Sequence, residues 1–141
     1  MKSVKFNATI LVALVFGFAL LTQGSFSQTT KKPWNVPAKY KEMKNPQKQD
    51  NAAMVTLGKN LFAKHCKACH GATGLGDGPK AKQLKTYPGD FSKPDFHKLS
   101  DGELYYMAYV GRDEMPNFEK KITDEEERWA IITYMRKEFK K

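Results

Sequence analysis

Residues 65–71 read His-Cys-Lys-Ala-Cys-His-Gly, and the cysteines in them are the only two of the 141-residue chain. That fact limits how the chain can hold itself together. A bond between Cys66 and Cys69 would close a very small loop, and disulfide stabilisation grows with the length of loop closed. The pair therefore staples little. It serves instead as a redox-active dithiol, as part of a zinc site, or as the anchor for a prosthetic group, and each use predicts a different protein.

The surrounding chain narrows the choice. Lys2 and Lys5 precede an apolar run from Ile10 to Leu21 broken only by Gly17, and Ser25-Phe26-Ser27 has the small-x-small form of a cleavage site. Residues 1–27 are expected to be a secretory signal peptide, because the run is shorter than the roughly 17 to 25 residues of a membrane helix. An uncleaved N-terminal anchor is the alternative. No cysteine near the cleavage point suggests a lipid anchor. Export to a periplasmic or other extracytoplasmic space would put the cysteines in an oxidising compartment.

Residues 28–50 carry Pro33, Pro37 and Pro46, many lysines and no sustained apolar period, the composition of an extended leader. Trp34, Val36, Tyr40 and Met43 stand out within it, and packing onto the domain is preferred to a partner-binding strip. From Asn51 the pattern turns helical. Met54, Leu57, Gly58, Leu61, Phe62 and His65 share one helical face, with Asp50 or Asn51 as N-cap, and the helix runs into Cys66.

Gly71, Gly74, Gly76, Gly78 and Gly89, with Pro79, Pro88 and Pro94, then punctuate a long irregular stretch, relieved at most by a helical turn near Lys80–Leu84. A loop of this length in a small domain is uncommon unless it wraps something. Ser100-Asp101-Gly102-Glu103 has the form of a capping box, opening a helix that should end at Gly111. Thr123-Asp124-Glu125-Glu126 reads as a second box before the stripe Trp129, Ile132, Met135 and Phe139. There is no β-alternation and no internal repeat. The expectation is one small all-α domain over 51–141, with about three to four helices.

In this setting the dithiol reading is weak, since a reactive C-x-x-C sits at a helix N-terminus in a βαβ context; here the helix precedes the cysteines. A zinc site could draw on His65, His70 and His97, but the spacing matches no ribbon or finger. C-x-x-C-H is also the attachment signature of c-type haem. Cys66 and Cys69 would form thioethers to the vinyl groups, and His70 would be the proximal iron ligand. A single covalent haem would also supply apolar surface that a domain of this size lacks.

Among the methionines, Met54, Met107 and Met135 fall within helical segments, where methionine is usually core filler. Met115 lies four residues after Gly111 and is held out of helical conformation by Pro116. It is the candidate second axial ligand, and a thioether there raises the reduction potential.

These residues carry a resemblance. Gly58–Gly71 (GKNLFAKHCKACHG), Gly76-Asp-Gly-Pro79, Leu99–Leu104 (LSDGEL), Met115-Pro-Asn-Phe118 and Asp124–Arg136 together resemble class I monohaem cytochromes c, in their bacterial forms, over about residues 51–141. The resemblance implies the cytochrome c fold, with Gly58 and Phe62 meeting Ile131, Tyr134 and Met135 where the first and last helices cross. It implies that the Pro79 carbonyl accepts a hydrogen bond from His70. It further implies that Tyr87, Phe91, Phe96, Leu104 and Trp129 line the haem. Arg112 is either a propionate partner or, preferably, a solvated charge.

The chain has a formal net charge of +9, which loss of residues 1–27, with two lysines and no acid, would lower to +7. Only Arg112, Arg128 and Arg136 are arginines, so the forked donor that grips phosphates and base edges is scarce. Nucleic acid is a poor partner for such basicity, whereas brief docking on the acidic face of a redox protein suits it. The reading is an exported single-electron carrier, expected to be a monomer with one haem and not an enzyme, serving partners that include a membrane respiratory complex. Lys64, Lys67 and Lys80 are the rim that would steer the encounter. Two alternatives stand beside it: a permanent cytochrome subunit of a dehydrogenase or oxidase complex, with Trp34 and Tyr40 as interface anchors, and a small haem peroxidase or gas sensor with a labile Met115. No dinucleotide fingerprint is present, because Gly-Leu-Gly-Asp-Gly follows no strand.

Overall fold

Local capping chemistry sets the ends of the three longest helices. The computed structural model describes residues 32–139, so the expected signal peptide lies outside the described residues. Helix α1 spans Ala38–Lys41, α2 Ala52–His65, α3 Lys67–His70, α4 Pro94–Lys98, α5 Asp101–Val110 and α6 Glu125–Glu138, with a 3-10 turn at Ala81–Gln83. Among the described residues there is no strand, only an isolated bridge between Arg112 and Met115. The fold is all-α, and among the described residues three helices have ten or more residues and three are short ones that periodicity does not register.

Asn51 caps α2, its side chain accepting from the amides of Ala53 and Met54. Ser100 and Glu103 complete the capping box of α5, which stops at Gly111 with φ of 68°. The start of α6 differs from expectation by one residue. Asp124, not Thr123, is the N-cap and accepts from the amides of Glu126 and Glu127, because a carboxylate serves the orphan N–H groups and the helix dipole together. The short α4 was not foreseen, although Pro94 in its first turn and Asp95 behind it are ordinary start signals.

The core forms where α2 lies against α6. A Cβ on Gly58 would come within 2.0 Å of the Ala130 carbonyl oxygen and 2.7 Å of Tyr134 Cβ, so the two backbones meet at this point. Phe62 packs beside it, with ring centroids 5.4 Å from Tyr134 and 5.3 Å from Phe139. The crossing is thus centred on Ala130 and Tyr134. Trp129 is buried against Tyr105, at 4.4 Å between centroids, and belongs to this core.

The leader segment packs rather than projecting. Val36 is buried, Tyr40 lies against Tyr105 and Tyr106, and Trp34 meets Tyr106 edge-on. Gly102 makes this approach possible, since a Cβ there would stand 1.8 Å from the Tyr40 carbonyl oxygen. Further along, Asn45 Nδ2 donates to Thr133 Oγ1 of α6 at 3.0 Å. Among the described residues no helix is long and apolar enough to cross a membrane.

Candidate haem site

The Cys66–His70 stretch is a tight turn appended to α2. Cys66 accepts from the amides of Cys69 and His70 at 3.1 and 3.0 Å, which gathers both thiols and the imidazole onto one turn of backbone. The loop that follows folds back on it. Gly78 N donates to Cys69 O at 3.2 Å and Lys80 N to Ala68 O at 2.9 Å, which seats Gly78–Lys80 beside the motif. A Cβ on Gly78 would lie 2.4 Å from Ala68 O, so a larger residue would push this segment away. Pro79 itself is exposed.

The motif forms one wall of a cavity of about 860 Å³. Cys66, Cys69 and His70 line it, together with Tyr87, Phe91, Phe96 and Leu104, as the resemblance implied. Trp129 does not line it, in contrast to the expectation; its ring is already covered by α5. His70 is 9% exposed and stacks on Phe91 at 4.7 Å between centroids. Met115 reaches the cavity from the segment after α5, and Met107 and Met135 also touch it from helices. Three methionines therefore border the cavity, and sequence position alone singled out one.

Both thiols are free. Burial, and then the neighbouring Cys69, pushes the Cys66 thiol up to about 12. A thiol held that high is almost wholly protonated at neutral pH, the opposite of an exchange-active dithiol. Among the described residues no three His, Cys, Asp or Glu side chains converge as a metal-binding group, which leaves the zinc reading without its ligands.

The mouth of the cavity is mixed in charge. Lys64, Lys80, Lys93, Lys121 and Arg112 border it, along with several carboxylates. Asp90 is engaged by Lys93, and Glu103 by the capping box, whereas Lys64 and Lys80 enter no ion pair among the described residues. The His65 pKa is lowered, first by burial and then by the charges of Lys64 and Lys121, a local sign of positive potential. Lys67 is exposed beside the motif but lies outside the cavity lining.

Two side chains find partners far away in the chain. Arg112 is held rather than free in solvent: its guanidinium lies 4.0 Å from the Trp34 ring centroid and donates to Pro33 O at 2.8 Å and Lys32 O at 2.5 Å. Glu114 accepts from the amides of Lys85 and Thr86 at 3.0 and 2.9 Å. Those two hydrogen bonds hold its carboxyl below the usual range. No local pattern announces either contact.

A family model described as cytochrome c matches residues 55–138. The chain belongs to the cytochrome c family. A comparison with curated proteins finds no match. Membership makes this a haem-binding electron-transfer protein with covalently bound haem c and its iron, and the spacing of Cys66 and Cys69 is that of the C-x-x-C-H attachment motif. The cavity fits such a group in chemistry and size. Two thiols and a buried imidazole share one wall, the remaining lining is largely apolar, and cofactor pockets run to roughly 300–1,000 Å³.

Proposed function

We propose that this cytochrome is an exported, free single-electron carrier with His70 and Met115 as axial ligands. The observation that supports it best is the placement of Cys66, Cys69, His70 and Met115 around one cavity. When bound, the haem supplies a one-electron couple. The chain's own residues would do the rest: the two thiols would tether, His70 would ligate from the same turn, and the Pro79 carbonyl, on the segment seated beside that turn, would orient the imidazole and raise its basicity. Met115, which lines the same cavity from the segment after α5, would supply the second ligand, exclude exogenous ligands and raise the potential.

An absorption experiment on the exported, haem-loaded protein tests this. Haem is expected to survive denaturing extraction, and the oxidised native protein should show the weak long-wavelength iron–thioether band. Met115→Ala should abolish that band and admit carbon monoxide to the reduced form, whereas Met107→Ala should leave both unchanged. A band that persists in Met115→Ala would move the ligand to another methionine; carbon monoxide binding by the unsubstituted protein would favour the gas-sensor or peroxidase reading.

Partner recognition follows from charge. Lys64, Lys67 and Lys80 would steer a brief encounter with an acidic redox protein, including an acidic face of a membrane respiratory complex. Changing all three to glutamine should slow association at low ionic strength by about tenfold and flatten its dependence on salt. Unchanged rates at low salt would remove these lysines from the encounter. The subunit alternative is less favoured, because Trp34 and Tyr40, its proposed interface anchors, are engaged by Arg112, Tyr105 and Tyr106 of the same chain.

A further inference from the structure

We propose that Arg112 and Glu114 are positioning residues that mount Met115 from two sides, so that the leader segment and the Lys85–Thr86 loop together hold the ligand in place. The inference rests on the reading of Met115 as an axial ligand.

The Met115 turn is small. Arg112 N donates to Met115 O at 3.0 Å and Met115 N to Arg112 O at 2.9 Å, and Asp113 between them has φ of 50°. Two hydrogen bonds with no flanking strands do not hold a turn rigid in water, where even a whole isolated hairpin is marginal. Its fixity must come from outside. Behind it, Phe118 is buried and its amide donates to Tyr109 O at 2.9 Å, which anchors the exit of the turn.

Two residues of this turn reach to different bodies. Glu114 spreads its two carboxylate oxygens over successive amides, Oε1 to Lys85 and Oε2 to Thr86. Thr86 lines the cavity, so this carboxylate ties one cavity wall to the wall that bears Met115. Arg112 reaches the other way, laying its guanidinium on Trp34 while both terminal nitrogens meet carbonyls of residues 32 and 33. Lysine cannot reproduce that combination of flat stacking and forked donation. The leader, which precedes the 55–138 family match, thereby becomes part of the ligand's support.

The test uses the full haem-loaded protein and the variants Glu114→Ala, Arg112→Lys and Met115→Ala. Expected for Glu114→Ala and Arg112→Lys is a weaker iron–thioether band, a lower potential and carbon monoxide binding faster by about tenfold, the factor that corresponds to about 1.4 kcal/mol of opening. Helical content should stay at the level of the unsubstituted protein, since neither side chain is in the core. Both variants matching the unsubstituted protein in band and ligand binding, while Met115→Ala loses the band, would overturn the mounting role alone. If the unsubstituted protein lacks the band, or Met115→Ala keeps it, the axial-ligand reading fails and the mounting proposal falls with it.

Discussion

Replacing Cys66 and Cys69 together by alanine is expected to give a chain that retains no haem after denaturing extraction and does not form a cooperatively melting domain. The reason is the cavity of about 860 Å³ that the chain's own side chains do not fill. Without the haem the apolar walls of this cavity lie open to water, and a domain whose whole stability is about 5–15 kcal/mol has little with which to offset that lost burial. The loops at 84–91 and 111–118, which have little regular structure of their own, should collapse or fluctuate first, leaving α2 and α6 as the residual helical signal. Circular dichroism melting of the purified variant is the measurement. A sharp transition at the temperature of the unsubstituted protein would show that the polypeptide fills its own core and would sink the idea.

Gly58→Ala should be strongly destabilising although it adds only one methyl group at the α2–α6 crossing. Judged by helix propensity alone the substitution would stabilise the chain by about 0.5–1 kcal/mol. Packing reverses the sign. The added Cβ would sit 2.0 Å from the Ala130 carbonyl oxygen and 2.6 Å from its carbonyl carbon, backbone atoms of a helix that cannot step aside alone. Separating α2 from α6 loosens Phe62, Tyr134 and Phe139 at once. A loss of about 3 kcal/mol is expected, at the upper end of the usual cost of overpacking. Urea unfolding of the haem-loaded protein reads it as a lower midpoint at unchanged slope. A midpoint at or above that of the unsubstituted protein would place the crossing elsewhere.

What could be read from the sequence was chemistry confined to one turn or one period. The caps Asn51 and Ser100, the stop at Gly111 and the apolar faces of α2 and α6 depend on neighbours within about four residues, and they appear where the pattern put them. The attachment motif is legible for the same reason: five consecutive residues on one turn place both thiols and the imidazole together before any tertiary contact exists. Propensity did not suffice for α1, α3 and α4, which are four or five residues long, below the length at which periodicity can be counted.

Tertiary structure decided the rest, because the contacts concerned join residues far apart in the chain and depend on where the backbone returns. Glu114 meets Lys85 and Thr86 across 29 and 28 positions, and Arg112 meets Lys32 and Pro33 across 80 and 79. Nothing near Glu114 or Arg112 encodes those partners. Trp129 shows the same limit in reverse: its helical stripe marked it as buried, but only the position of α5 gave its ring to Tyr105 and kept it off the cavity. The leader is a segment with no strong local preference that packs because Gly102 lets Tyr40 come close and Arg112 offers Trp34 a flat cation. The amino-acid sequence by itself determined the three long helices and the five-residue attachment motif, both short-range; which side chains wall the cavity, and which distant partners Arg112 and Glu114 meet, followed only from the folded chain.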